Sequence, residues 1–163
     1  MAKPYYRAET FEGRKSLGYL IRRLHNLTMP RAEALFADAE FTFSHWVTLM
    51  ALRDGIATTC AGIARHLDHD TGATTRLVDQ LEKRGLLTRT RNTDDRRVVD
   101  LKLTAEGVAI AAELMPRITD FWNDVLDDFS HAEATSLIAL MTKLMDALEA
   151  TPVAGPKKRE AAQ

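Results

Sequence analysis

The stretch that decides the fold is Cys60–Thr104, which reads CAGIARHLDHDTGATTRLVDQLEKRGLLTRTRNTDDRRVVDLKLT. Its periodicity predicts two short helices and then two alternating strands, at 60–67, 71–84, 86–91 and 98–103. Asp70 can cap the second helix, and Asn92–Asp95 has the composition of a turn. A helix that fits the major groove, followed by a hairpin rich in arginine, is the layout of a winged helix-turn-helix. This pattern predicts duplex DNA as the partner.

The second of these helices has the features of a recognition helix. On a helical wheel, Ala73, Leu77 and Leu81 form the buried stripe. The N-terminal half of the opposite arc is small and mostly neutral, so it can approach DNA closely, and its hydroxyl and guanidinium groups can bond phosphates or base edges. The DNA-binding residues predicted here are Thr71, Gly72, Thr74, Thr75 and Arg76. The alternative is an ordinary surface helix, which the flanking helix and hairpin disfavour.

The hairpin concentrates positive charge at the predicted wing. Arg89, Arg96 and Arg97 are expected to bind DNA, because an arginine at a projecting tip can enter the narrow minor groove. Asp95 is expected to orient Arg97 through a local salt bridge. The alternative is a solvated, charged turn that protects an edge strand.

The remaining sequence predicts a mostly α fold with a small β-hairpin wing and N- and C-terminal helical dimerisation regions. We expect a helix over 13–28, a kink or break at Pro30, and a further helix over 31–39. A long helix from Thr104 to Phe129 should precede a last helix that begins at a capping box on Ser130. The predicted organisation is a dimerisation region, a DNA-binding lobe and a disordered tail, at 1–40 with 105–150, at 41–104 and at 151–163.

The charge distribution and the composition constrain the class of protein. The net charge is −1, but residues 65–97 carry eight lysines and arginines against six acidic residues, while residues 98–150 carry three against ten. Local positive charge is what a DNA footprint requires. A single cysteine, no signal-like N-terminus and no long apolar run predict a cytoplasmic protein outside the membrane.

Several motifs carry a resemblance to a known family. Residues 44–49 read SHWVTL, residues 76–86 read RLVDQLEKRGL, and the wing reads DRR at 95–97, followed by LKLT at 101–104 and Gly107. From about Phe43 to Gly107 the chain resembles the MarR family of bacterial regulators, close to its SlyA branch. The resemblance implies a homodimer whose two recognition helices lie in successive major grooves of a pseudo-palindromic operator. It also implies that Arg96 or Arg97 enters the minor groove.

The same resemblance implies a small aromatic acid or phenolic ligand between the dimerisation helices and the DNA-binding lobe. The candidate ligand-binding residues are Arg22, His25, Trp46 and Met50. Arg22 could bind a carboxylate, and Trp46 could stack on a ring. The alternative is that Trp46 and Met50 are core residues and that Arg22 forms an ordinary ion pair.

Other chemistry has weaker support. Cys60, at a helix N-terminus, is read as a packed residue rather than a redox centre, and the pair His66 and His69 as surface groups rather than zinc ligands. No phosphate loop, acid/base pair or nucleophile elbow indicates an enzyme, and no cofactor is expected. The sequence predicts a transcriptional regulator, with a repressor released by its effector as the expected mode of action. The alternatives are a winged-helix module that binds proteins and an activator without an effector.

Overall fold

The computed structural model describes residues 4–39 and 41–152. These residues form six α-helices and one antiparallel two-stranded sheet, which confirms the predicted mostly α fold with a small β-hairpin. In chain order the elements are α1 (Leu17–Ala34), α2 (Phe43–Arg53), α3 (Cys60–Leu67), α4 (Thr71–Lys83), β1 (Leu87–Arg91), β2 (Val99–Leu103), α5 (Ala105–Val125) and α6 (His131–Glu149). Most of the predicted C-terminal tail, from residue 153 onwards, lies outside the described residues. The chain divides into two compact units, residues 1–119 and 120–163.

Side-chain caps define the starts of α2, α3 and α4, the three helices that precede the hairpin. Thr42 caps α2 by accepting a hydrogen bond from the backbone N–H of His45. Thr59 caps α3 through the N–H of Gly62, and Asp70 caps α4 through the N–H of Ala73. Each cap satisfies a donor that the first helical turn leaves unpaired, so the helix boundaries follow from the sequence.

The hairpin is joined to the helices by backbone hydrogen bonds as well as by packing. Strands β1 and β2 pair from Leu87 opposite Leu103 to Arg91 opposite Val99. The N–H of Leu101 in β2 also donates to the carbonyl of Thr58, 2.7 Å away, just before α3 begins. A two-stranded hairpin is only marginally stable by itself, and this additional backbone hydrogen bond anchors it to the helix-turn-helix.

A single apolar core lies beneath these elements in the first unit. Its fully buried side chains come from the turns after α1, from α2, α3 and α4, and from both strands: Phe36, Leu49, Ile63, Val78, Leu81, Leu87 and Leu101. Burial of each large apolar side chain stabilises the fold by about 1.5–3 kcal/mol. This core holds α4 and the hairpin as parts of one body.

Helix α1 differs from the prediction at both ends and at its proline. It begins at Leu17 rather than at residue 13, and it continues through Pro30 to Ala34 without the expected break. The missing N–H and the ring clash cost about 3 kcal/mol in a helix interior. Packing of the following turn offsets this cost, because Ala32 and Phe36 are both buried in the core. Residues 35–39 are turns rather than a resumed helix.

The junction between the hairpin and α5 is tightly packed. The hydroxyl of Thr104 donates to the carbonyl of Gly85, 2.6 Å away, and accepts from the N–H of Gly107 at 3.0 Å. A Cβ atom on Gly107 would lie 1.9 Å from the carbonyl oxygen of Leu86, so only glycine fits there. This junction fixes the first turn of α5 against the segment between α4 and β1.

The second unit contains α6, which begins with the predicted capping box. Ser130 and Glu133 each bond the backbone N–H of the other. Helix α5 ends at Val125, four residues before the predicted Phe129, and hydrogen-bonded turns connect it to α6. Along α6 a row of large apolar side chains is exposed: Leu137, Ile138, Leu140, Met141, Met145 and Leu148. Among residues 4–39 and 41–152, no helix combines the length and apolarity that a bilayer crossing requires.

Candidate nucleic-acid interface

The N-terminal half of α4 presents a small, hydrogen-bonding surface. Thr71, Gly72, Thr75 and Arg76 are all exposed. The hydroxyl of Thr75 donates to the carbonyl of Thr71 at 2.8 Å, which leaves its oxygen lone pairs and its methyl group facing outwards. Small residues at this end allow close approach to a groove, and Arg76 supplies the long cationic side chain.

Thr74 lies on the other side of the helix from the predicted surface. It is 0% exposed, and its hydroxyl donates to the carbonyl of Asp70 at 3.0 Å. Its wheel position near the Leu77 stripe places it in the core, so it is removed from the set of DNA-facing residues. The buried side of α4 consists of Thr74, Leu77, Val78 and Leu81.

The N-terminus of α4 is fixed by a carboxylate. The backbone N–H of Ala73 donates to Asp70 at 2.8 Å, and this bond, with a further backbone bond from Gly72 and the charge of Arg76, holds the pKa of Asp70 below its usual range. Asp70 therefore stays ionised as a cap. The N–H groups at this helix end favour an anion such as a phosphate.

The wing tip is organised by two short polar side chains. The side-chain oxygen of Asn92 accepts from the N–H groups of Asp94 and Asp95, which closes the turn. Asp95 accepts from the N–H of Arg97 at 3.0 Å and from its guanidinium at 3.1 Å and 3.3 Å. The same guanidinium lowers the pKa of Asp95. Arg97 is nevertheless 91% exposed, so its direction is set while its charge remains accessible.

Helix α4 and the wing border one open cleft of about 610 Å³. Thr75 from α4 and Arg97 from the wing both line it, together with the first residues of α3 and the edge of β2. The cleft is mainly apolar, with arginine at its rim. Two of the predicted DNA-contacting elements therefore share one face of the molecule.

Arg89, which the sequence assigned to DNA, is half-buried and paired with two acidic residues of α4, and it also lines the cleft between α4 and the wing. Its guanidinium lies 2.6 Å from Asp79 and 2.6 Å from Glu82, and its side chain is 28% exposed. Burial opposes its charge, but the two carboxylates raise its pKa above the ordinary value. Helical spacing alone would pair Asp79 with Lys83, yet Asp79 pairs with β1 instead. The sequence contained an indication of this pairing, because Asp79 and Glu82 are spaced i, i+3 on α4 and the strand that follows, β1, carries Arg89.

A second contact that sequence reasoning missed joins α4 to α2. His45 is 7% exposed, and its Nε2 lies 2.9 Å from the side-chain oxygen of Gln80. Burial is the main cause that lowers the pKa of His45, with a smaller contribution from Arg84. Nothing in the helical period of either segment indicates this pairing, because it depends on how the two helices pack.

The four candidate ligand-binding residues occupy different settings. Arg22 and His25 are exposed on α1, where Arg22 lines a cleft of about 220 Å³ with Tyr19, Arg23 and Asn26. Trp46 stacks on Phe36 and Phe43, with both ring centroids 6.1 Å away. Met50 is 8% exposed and belongs to the core.

Cys60 and the pair His66 and His69 belong to no metal-binding group of side chains among the described residues. Cys60 is a free, half-buried thiol that packs against the core and borders the cleft between α4 and the wing. His66 is exposed and His69 is half-buried. Within the described ranges, no group of three or more histidine, cysteine or acidic side chains is arranged to hold a metal ion.

Comparison with known proteins agrees with this geometry. Residues 41–99 match the model of the MarR family. A mutant of MarR from E. coli, solved in complex with operator DNA, is 26% identical with a TM-score of 0.66, covering 78% of this chain and 92% of that chain.

Two further solved structures share the fold at lower identity. BpsR of Bordetella bronchiseptica, whose structure concerns regulation of DNA binding by 6-hydroxynicotinic acid, is 24% identical with a TM-score of 0.71, covering 83% of this chain and 97% of that chain. MepR of S. aureus, solved with DNA, is 19% identical with a TM-score of 0.67, covering 84% and 99%. The match to the MarR family model covers α2, α3, α4 and the first strand of the hairpin, and the chain has the fold of these MarR structures.

Proposed function

We propose that this protein is a sequence-specific, double-stranded DNA-binding transcriptional regulator that acts as a homodimer. The observation that carries the proposal is the shared cleft, because Thr75 of α4 and Arg97 of the wing border the same opening. A helix and a hairpin on one face can contact adjacent grooves of the same duplex. The likeness to E. coli MarR, which has been solved with operator DNA, supports this reading.

Within this proposal the two elements have different roles. Helix α4 enters the major groove, where Arg76 reads a base edge and Thr71, Gly72 and Thr75 approach bases or phosphates. Arg96 and Arg97 of the wing contact the minor groove and its phosphates, with Asp95 holding Arg97 in place. Arg89 lines the same cleft and neutralises Asp79 and Glu82 beside it.

The dimer is supported by two exposed apolar rows, each considered within its own unit. On α1 the row consists of Leu17, Leu20, Ile21, Leu24 and Leu27, and α6 carries the row given above. Contiguous apolar surface of this kind is rare on a monomer and marks an interaction site. A second copy of the chain, related by a two-fold axis, would present two α4 helices to half-sites one helical turn apart, about 34–36 Å.

The proposal also includes the mode of regulation, which is repression relieved by an effector. We infer a cytoplasmic, non-enzymatic repressor close to the SlyA branch, on the strength of the motifs at 44–49 and 76–86. A small aromatic acid or phenol would release it by favouring a dimer with wrongly spaced α4 helices. BpsR, whose DNA binding is regulated by an aromatic acid, supports that effector class. Arg22 is the residue we assign to an effector carboxylate.

In vitro selection of duplexes from a random pool, with the full-length chain, tests the proposal. We expect a two-fold symmetric consensus, and binding that weakens with salt by about 0.9 log–log units per phosphate neutralised. The charge-reversal variants Arg76→Glu and Arg97→Glu serve as controls that should recover no consensus. Recovery of no duplex by the wild type, or a monomer in sedimentation analysis, would overturn the proposal. A flat salt response beside a stable protein partner would favour a protein-binding module instead.

A further inference from the structure

His45 is a buried imidazole that contacts two elements at once. Its Nδ1 lies 3.0 Å from the backbone nitrogen of Thr42 and 2.9 Å from the Thr42 hydroxyl, at the N-cap of α2. Its Nε2 lies 2.9 Å from the side-chain oxygen of Gln80 on α4. The imidazole itself is buried, with 7% of the residue exposed, while Thr42 and Gln80 are exposed beside it.

The Thr42 contact fixes the tautomer of the ring. A backbone N–H can only donate, so Nδ1 must accept, and the proton of the neutral ring must be on Nε2. Nε2–H then donates to Gln80, whose amide oxygen must face His45. A second proton on Nδ1 would oppose the N–H of Thr42, so protonation breaks that backbone hydrogen bond, although the Thr42 hydroxyl can then accept from Nδ1–H.

Charged groups around His45 act in both directions. Arg84 of α4 disfavours an imidazolium, Glu33 of α1 and the Gln80 oxygen favour it, and burial opposes it most strongly. Lys83 of α4 also borders the cleft beside His45. The aromatic ring of Phe41 packs edge-on at 5.8 Å and adds no compensating charge. The balance keeps the pKa of His45 below its ordinary value, so the ring is neutral near pH 7.

Gln80 is well placed to transmit a change. It lies four residues after Arg76, which is one turn along the same face of α4. On the side of the wing, the helix is held by the pairing of Asp79 and Glu82 with Arg89. On the side of α2, the hydrogen bond between Gln80 and His45 fixes α4 in a corresponding way.

We propose that neutral His45 is a positioning residue for DNA binding: it links α4, through Gln80, to the N-terminus of α2, and protonation on Nδ1 breaks the Thr42 end of this link while Nε2–H stays bonded to Gln80. This inference rests on the proposed DNA-binding function. It predicts that acid weakens operator affinity through a residue that touches no DNA. The expected loss is several-fold to about tenfold, the scale of one net hydrogen bond.

The test combines NMR of the imidazole nitrogens with binding titrations on the full-length protein. Without DNA, we expect the Nε2–H tautomer for His45, a pKa below the ordinary value for histidine, and movement of the amides at the start of α2 and of the α4 amides near Gln80 and Arg76 as the ring titrates. With a selected duplex at constant salt, affinity is measured from about pH 8 to about pH 5.

Two variants isolate the His45 contribution. His45→Gln keeps a capping-box side chain but cannot titrate, so its affinity should lack the acid loss that the wild type shows. Gln80→Glu keeps an acceptor and adds a negative charge, which raises the pKa of His45 and should move the loss to higher pH. Identical pH profiles in wild type and His45→Gln, or an Nδ1–H tautomer, would overturn the inference. If no duplex binds at any pH, the proposed DNA-binding function is wrong. The positioning role is tested independently by the NMR titration without DNA, and it is rejected if the α4 amides do not move as the imidazole titrates.

Discussion

The guanidinium of Arg89 and the carboxylate of Asp79 lie 2.6 Å apart and join strand β1 of the wing to helix α4. Glu82, one turn further along α4, completes the clamp at 2.6 Å. The contact aligns two elements that lie on one face, and it neutralises two acidic groups that would otherwise repel a phosphate backbone.

Arg89→Ala should weaken DNA binding mainly by leaving these two carboxylates unpaired. We expect little loss of stability, since exposed ion pairs contribute about 0–1 kcal/mol. In fluorescence anisotropy titrations, the triple variant Arg89→Ala with Asp79→Asn and Glu82→Gln should bind better than Arg89→Ala alone. If the triple variant binds no better than Arg89→Ala, Arg89 contacts DNA directly rather than acting as a clamp.

The wing arginines should contribute affinity with a salt signature. Arg96→Ala and Arg97→Ala are each expected to weaken operator binding and to reduce the log–log salt slope by about 1. Asp95→Ala should have a smaller effect, because it removes the orientation of Arg97 and keeps the charge. Lys15→Ala is the control for a lost positive charge outside the α4–wing surface. Wild-type affinity in both arginine variants would disprove the assignment of the wing.

Arg76 should determine base preference. Arg76→Ala is expected to cost about 1–3 kcal/mol at the preferred site and to relax the consensus at one position of each half-site. Arg76→Lys keeps the charge without the bidentate geometry, so it should recover affinity but not preference. Repeating the duplex selection with both variants measures this, and an unaltered consensus would count against base contact.

Gly107 should tolerate no side chain. The Cβ of Gly107→Ala would lie 1.9 Å from the carbonyl oxygen of Leu86, and overpacking of this kind costs about 1–3 kcal/mol. Gly18→Ala is the matched control, because nothing lies within 4 Å of the position that its Cβ would take and alanine favours the helix. Urea unfolding should show a lower midpoint for the Gly107 variant and an unchanged or higher one for the Gly18 variant. Equal midpoints would refute the close contact.

The cap on α4 should make stability depend on acid. The folded-state pKa of Asp70 is lowered, chiefly by the bond from the N–H of Ala73, so its contribution is present above the unfolded pKa and is lost as pH falls through the folded value. Asp70→Asn keeps the cap and removes the titration, whereas Asp70→Ala removes both. At neutral pH, wild type should have a higher unfolding midpoint than Asp70→Ala. As the pH falls to about 3, the midpoints of the two proteins should converge. A constant difference between them would show that the carboxylate is not the cap.

Local chemistry explains why much of the lobe could be predicted. Caps at Thr59 and Asp70, the glycine at position 85 and the turn at Asn92 act within a few residues, so their effects are readable along the chain. The same reasoning fails at Pro30, because a local rule predicts a break that burial of Phe36 offsets. It also fails at Thr74, because a wheel angle near the edge of a stripe does not say which side of it is covered.

The sequence alone determined the order and boundaries of the helices in the lobe, the hairpin with its arginine tip, and the exposed face of α4, since these depend on short-range periodicity and capping. Only the tertiary structure decided which partners the long polar side chains take. Arg89 with Asp79 and His45 with Gln80 are separated by 10 and 35 residues. Their pairing depends on how elements pack across a shared core, and no local pattern encodes that geometry.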